Sequence, residues 1–221
     1  MQEFWHTLKD TILNPEWYIE YGGLYMILAV IFAETGLFIG FFFPGDSLLF
    51  VAGIFLDKLA TEFFDVHYLV ICTLISIAGI LGNFVGYWFG RKSGPLLYKK
   101  EDSFFFRKKH LQTATKFYEE NGAFTIILGR FMPIIRTFAP IVAGIVEMDY
   151  KKFTLYNIVG SFAWVFSMTL AGRFLHKFIL DKYGMDITDR LEIIVIVIIA
   201  VTTAPVIYKF IKESRKAKKA N

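Results

Sequence analysis

Three windows of this sequence, Leu24 to Leu56, Leu69 to Gly90 and Ile193 to Ile211, stay apolar over the roughly 20 residues that a helix needs to cross a bilayer. With 55% hydrophobic and 18% aromatic residues, the composition lies outside that of an ordinary soluble domain. A single bilayer-embedded, all-α domain is the economical reading.

The ends and the basic residues fit that reading. Met1 to Tyr21 holds one Lys against four acids, with no short apolar stretch before a small-residue cleavage site, so the N-terminus is expected to be retained. Its Phe4, Trp5, Leu8, Ile12 and Leu13 are spaced as on a helix, which predicts an interfacial amphipathic segment over residues 1–21. Cys72 is alone in an apolar window, so neither an intramolecular disulfide nor a cysteine metal cluster is expected, and no cofactor or metal is implied. The net charge of +4 comes from basic residues beside membrane segments, Arg91 to Lys116 and Lys209 to Lys219. That placement suits anionic lipid headgroups rather than nucleic acid.

The stretch from Gly22 to Leu56 would be about 52 Å long as one helix, against a hydrocarbon core of about 30 Å. Glu34, Gly36, Gly40 and Phe43-Pro44-Gly45-Asp46 interrupt it, so residues 22–56 are predicted to form a broken, re-entrant segment. Residues 67–90 read as a continuous span with small residues along one face. A polar, cytoplasmic loop follows over 91–122, with eight Lys/Arg and four Asp/Glu. Residues 123–146, broken by Gly129-Arg130, Pro133, Arg136 and Pro140, form a second re-entrant segment, and 153–175 a second span. A further span is predicted over 191–211, followed by a basic cytoplasmic tail over 212–221.

If the basic tail and the basic loop both lie inside, the segment between loop and second span must enter and leave on the same side. The result is an inverted repeat of re-entrant hairpin plus transmembrane helix, with an additional C-terminal transmembrane helix, the plan of many secondary transporters. The side of the N-terminus stays open. Sequence similarity between the halves is little more than Val-Ala-Gly after each break.

Of the 44 charged side chains, only Glu34, Asp46, Arg130, Arg136 and Glu192 lie within apolar stretches, and Glu192 sits at a span's mouth. Each of the other four would cost about 2.5 to 3.5 kcal/mol at the centre of a lone helix, so they are expected to face a bundle interior or a watery cavity. Arg130 and Arg136 offer planar forks suited to a phosphate, and a break at Pro133 lets both point into one cavity. Glu34 and Asp46, poised between desolvation and a nearby arginine, suit proton exchange. The bland alternative is static ion pairing between the two broken segments, and Asp46 also reads as a helix cap after Pro44-Gly45. Pro44, Gly45, Pro133, Pro140 and Gly144 are expected to shape backbone.

These residues carry a resemblance. The run from Phe38 to Gly53, containing Phe43-Pro44-Gly45-Asp46-Ser47, is similar to the first block of the DedA family, the bacterial branch of the SNARE-associated Golgi or VTT-domain proteins. Gly82-Asn83 with Gly86 to Arg91 resembles its second block, and Gly129 to Pro140, closing with Ala143-Gly144, its most diagnostic motif. The likeness covers roughly residues 22–175. It implies a multi-pass protein of the bacterial inner membrane with two opposed re-entrant loops, moving phospholipid or undecaprenyl phosphate between leaflets with proton coupling. The family's functional acids and arginines fall on Glu34, Asp46, Arg130 and Arg136. Where many members follow the first acid with Asn or a proline-rich step, this chain has Thr35-Gly36-Leu37.

The expected partners are therefore membrane lipids and protons, with a homo-oligomer left open. A small-cation/proton exchanger using Glu34 and Asp46 is the alternative. A lipid-phosphate enzyme ranks below both, because His6, His67, His110 and His176 are scattered and no nucleophile elbow or metal-ligand cluster accompanies them.

Overall fold

The computed structural model describes residues 15–37, 45–99, 124–131 and 133–186, with Thr188 and Val197, and its regular elements are helices. These are α1 (Pro15–Gly36), α2 (Gly45–Ile54), α3 (Leu56–Glu62), α4 (Tyr68–Lys99), α5 (Phe124–Gly129), α6 (Pro133–Ile145) and α7 (Tyr150–Tyr183). Of the amphipathic segment expected over 1–21, residues 15–21 form the start of α1; the rest of it, Pro44, the loop beyond Lys99, and the last span and tail apart from Val197 lie outside the described residues.

Among the described residues two helices are long and apolar enough to cross a membrane, Tyr68–Gly94 with 27 residues and Tyr150–Tyr183 with 34. At about 1.5 Å per residue both exceed a hydrocarbon core of about 30 Å. Ile77, Leu81, Val85 and Trp88 recur along α4 at helical spacing and are all exposed, as are Leu155, Ile158 and Val159 on α7. Such apolar stripes are costly in water and natural against lipid.

Local chemistry sets the ends. Pro15 opens α1, where its missing N–H would have had no partner, and α1 kinks at Gly23 (φ 51°), beside the boundary expected at residue 22. Pro133 opens α6 in the same way, but α6 continues through Pro140 rather than breaking there. Asp149 caps α7 by accepting from the Lys152 N–H at 2.9 Å, and Gly184 (φ 63°) closes it. α4 runs on to Lys99, so the basic region begins as helix rather than loop.

Each broken segment divides its two arms between the two long helices. α1 packs on α4 and α2 on α7, whereas α5 packs on α7 and α6 on α4. The second arm of each segment ends in Val-Ala-Gly, and that glycine meets the long helix at backbone distance. A Cβ on Gly53 would strike the Thr169 carbonyl, and one on Gly144 the Tyr87 carbonyl. Reciprocally, Gly172 faces the Phe50 carbonyl and Gly90 the Ile141 carbonyl. The two crossings therefore match residue for residue, with small residues allowing close approach. Gly53→Ala and Gly144→Ala are each expected to destabilise the protein by about 1–3 kcal/mol. Gly86→Ala, whose Cβ would meet side-chain atoms at 3.4 Å and no backbone atom nearer than the Thr35 carbonyl at 3.7 Å, should be milder. Thermal unfolding in detergent ranks the three.

The larger core, including Ile27, Ile31, Leu48, Leu49, Ile75 and Trp164, fills the space between α1, α2, α4 and α7. Cys72 is buried within it, its Sγ 3.4 Å from the Thr169 hydroxyl. At the α3 end, the Asp57 carboxylate accepts from Arg173 Nε (3.1 Å) and Nη2 (3.0 Å), with Lys177 Nζ 3.5 Å away. Partial burial pushes the Asp57 pKa up, but these cations outweigh it and hold the carboxyl below its ordinary value.

Candidate functional site

The site is built where the ends of α1, α2 and α6 meet α7. Glu34 lies on the last turns of α1, Asp46 in the first turn of α2 and Arg136 in the first turn of α6. Asp46 is thus inside its helix rather than at the cap position. Gly45, buried beside it, has a specific reason to be glycine, since a Cβ there would occupy the space of the Glu34 carboxylate.

Arg136 joins the two segments. Its Nη2 donates to Glu34 Oε1 and its Nη1 to Asp46 Oδ1, so one guanidinium holds two carboxylates. Trp164 of α7 supports the pair from behind. The indole Nε1 donates to Asp46 Oδ1 at 2.9 Å, and its ring lies 4.6 Å from Arg136 Cζ.

Arg130 has different company. It sits in the turn between α5 and α6, only 2% exposed, and its Nη2 donates to Asn157 Oδ1 at 2.6 Å. The Asn157 Nδ2 donates in turn to the Ile80 carbonyl at 3.2 Å, tying α7 to α4. The Asn83 carboxamide lies against this group, 2.8 Å from Asn157 Oδ1 and 3.2 Å from the Thr35 carbonyl. Gly160 gives the arginine room, a Cβ there falling 3.1 Å from Arg130 Cδ. Among the described residues Arg130 makes no ion pair, and its Nε and Nη1 have no hydrogen-bond partner; nor has the buried Ser161 hydroxyl.

The two arginines thus have separate electrostatic settings. With both carboxyls ionised, Arg136, Glu34 and Asp46 sum to one negative charge and Arg130 stands apart with one positive charge. Asn157 and Trp164 are seven residues apart on α7, which sets the two groups about 10 Å apart in height. Among the described residues no group of three His, Cys, Asp or Glu could hold a metal ion.

All four charged residues singled out in the sequence are at this centre, but the acids gather on Arg136 alone. Counting charges overlooks Trp164, Asn83, Asn157 and Ser161. Asn83 and Asn157 were legible as carboxamides in otherwise apolar stretches; nothing in the sequence tells which aromatic backs the ion pair. Of the backbone-shaping residues, Gly45, Pro133 and Gly144 have the contacts or helix starts described, and Pro44 lies outside the described residues.

Fold and site together define a helical membrane protein with a buried centre of ionisable side chains. Residues 43–174 match the VTT domain, and the chain belongs to the DedA family of VTT-domain membrane proteins. It is 42% identical to Protein DedA of Escherichia coli (strain K12) over 203 residues, covering 91% of this chain and 89% of the relative. An uncharacterized membrane protein of Mycobacterium tuberculosis is 39% identical over 175 residues, 76% of this chain and 75% of its own. Inner membrane protein YqjA of Escherichia coli is 30% identical over 178 residues, 80% and 77% of the two chains. No solved structure matches.

Proposed function

We propose that this protein carries a phosphate-bearing lipid, undecaprenyl phosphate or a phospholipid, between the leaflets of a bacterial inner membrane, coupled to protons and without an enzymatic step. The observation that carries the reading is Arg130: a buried guanidinium that has, among the described residues, two unpartnered nitrogens and no carboxylate. Burying such a cation is expensive unless an anion with several acceptor oxygens completes it.

Charge balance gives the coupling. The centre is neutral when Arg130 (+1) faces the Arg136, Glu34 and Asp46 group (−1), and an entering phosphate disturbs that balance in a medium that penalises net charge. Protonation of Glu34 or Asp46 restores it and releases one side of the Arg136 fork for the same phosphate. A phosphodiester would bring one proton, whereas a monoester, with a charge of about −1.5 to −2, would bring up to two. A small cation would have to displace Arg136 from both carboxylates, which disfavours the exchanger reading.

The architecture that suits this work is an inverted repeat in which α1–α2 and α5–α6 are re-entrant hairpins and α4 and α7 the spans. Support comes from the matched Gly53–Gly172 and Gly144–Gly90 crossings and from the crosswise packing of the arms. The basic end of α4 beside the start of α7 is taken as cytoplasmic, as is the C-terminus. The inner-membrane placement follows the name of the relative YqjA.

Leaflet-resolved lipid movement in proteoliposomes, with and without a pH gradient, tests the proposal. Glu34→Gln and Asp46→Asn are expected to abolish the response to the gradient while the protein stays folded and inserted, since the amide keeps shape and removes titration. Stable variants that still respond to the gradient would exclude these carboxylates as coupling sites. Protection of the site from modification by cations, but not by phosphate lipids, would favour the exchanger.

A further inference from the structure

We propose a second, peripheral site on this protein, for the phosphate headgroup of an anionic phospholipid, between the C-terminal part of α4 and the start of α7. A cavity of about 550 Å³ opens there, lined by Tyr87, Trp88, Arg91, Lys92 and Tyr150, and it shares no residue with the buried centre.

What separates this cavity from an ordinary basic fringe is that its arginine is held in place. Tyr87 is almost wholly buried, stacked on Phe153 with ring centroids 4.3 Å apart. Its hydroxyl donates to the Met148 carbonyl at 2.6 Å and accepts from Arg91 Nη1 at 2.9 Å. The phenol therefore fixes the guanidinium from one side, and among the described residues its other N–H groups are open to a ligand. Fixing the fork in advance lowers the entropy cost of binding a phosphate. Among the described residues neither Arg91 nor Lys92 makes an ion pair, and the nearby Asp149 is committed to the Lys152 N–H.

The walls point to a lipid rather than a free anion. Trp88, 68% exposed, forms one wall and also continues the exposed stripe of Ile77, Leu81 and Val85 along α4. A ligand with its phosphate on Arg91 and Lys92 could lay an acyl chain along that stripe. Tryptophan and tyrosine beside cations at the end of a span are the composition of a headgroup-level interface. The assignment does not rest on the carrier reading, because an annular lipid would bind here whether or not it is moved.

The test uses the full chain in a neutral detergent, with tryptophan fluorescence quenched by phosphatidylglycerol or phosphatidylcholine brominated in the acyl chains. Trp88→Phe identifies the signal that belongs to this cavity. Phosphatidylglycerol is expected to quench Trp88 at lower concentration than phosphatidylcholine. Arg91→Gln with Lys92→Gln should weaken the phosphatidylglycerol response roughly 30-fold, the scale for two juxtamembrane basic residues. Tyr87→Phe, which keeps the ring and frees Arg91, should give a smaller loss, and Arg130→Gln none. Equal quenching by the two lipids, or an unchanged response in the Arg91/Lys92 variant, would overturn the site. Full competition by glycerol phosphate would make it a free-anion site instead, and loss of the response in Arg130→Gln would assign the binding to the buried centre.

Discussion

Arg136→Gln is expected to cost the fold about 3–5 kcal/mol, the usual penalty for removing one partner of a buried ion pair. The loss should be at the upper end, because the substitution strands two carboxylates at once. Glu34 is 1% exposed and accepts from Arg136 through Oε1, and Asp46 loses the guanidinium while keeping the Trp164 indole. Three helix ends, those of α1, α2 and α6, are joined through this one guanidinium, so the breaks in both segments loosen together. In detergent the change should appear as a drop in unfolding temperature of roughly 10 °C. Adding Glu34→Gln and Asp46→Asn to the variant should recover most of it, since neutral amides no longer demand a counter-charge. A variant that unfolds at the parental temperature would show that the carboxylates do not need Arg136, and the ion-pair account of the site would fall.

This centre is legible in the sequence because charge inside an apolar segment is costly and therefore conspicuous. Glu34, Asp46, Arg130 and Arg136 stand out on that ground alone, and Pro133 with Gly129 marks where the second segment must break. What stays hidden is the pairing. Two acids and two arginines suggest two bridges by simple arithmetic, yet Glu34 and Asp46 both turn to Arg136, because Gly45 leaves room for the Glu34 carboxylate beside Asp46. Arg130 is left to a carboxamide on α7, a long-range contact that spacing along the chain does not encode. Helix limits were blurred for a different reason. Arg91 to Lys99 carries enough charge to read as loop, but an apolar helix can run on past the bilayer without penalty, and α4 does. Pro140 reads as a break, yet a proline costs only what its surroundings fail to replace, and α6 continues through it.

Arg130→Lys is expected to reduce lipid movement by roughly 10- to 100-fold with little loss of stability, the reverse of the Arg136 phenotype. A lysine keeps the charge but presents one compact ammonium, so the second charge-assisted hydrogen bond to a phosphate, worth about 1.5–3 kcal/mol, is lost. Arg130→Gln should abolish movement altogether. Its effect on stability should be small beside that of Arg136→Gln, because the lost charge balance is offset by no longer burying a cation whose Nε and Nη1 have no partner among the described residues. That combination is what a binding group held ready for an absent anion would show: the fold tolerates Arg130 for the sake of the ligand. Initial rates in proteoliposomes and unfolding temperatures in detergent, measured on the same preparations, separate the cases. Arg130 variants that lose stability as Arg136→Gln does, while still moving lipid, would mark Arg130 as a structural residue and remove the phosphate from the proposal.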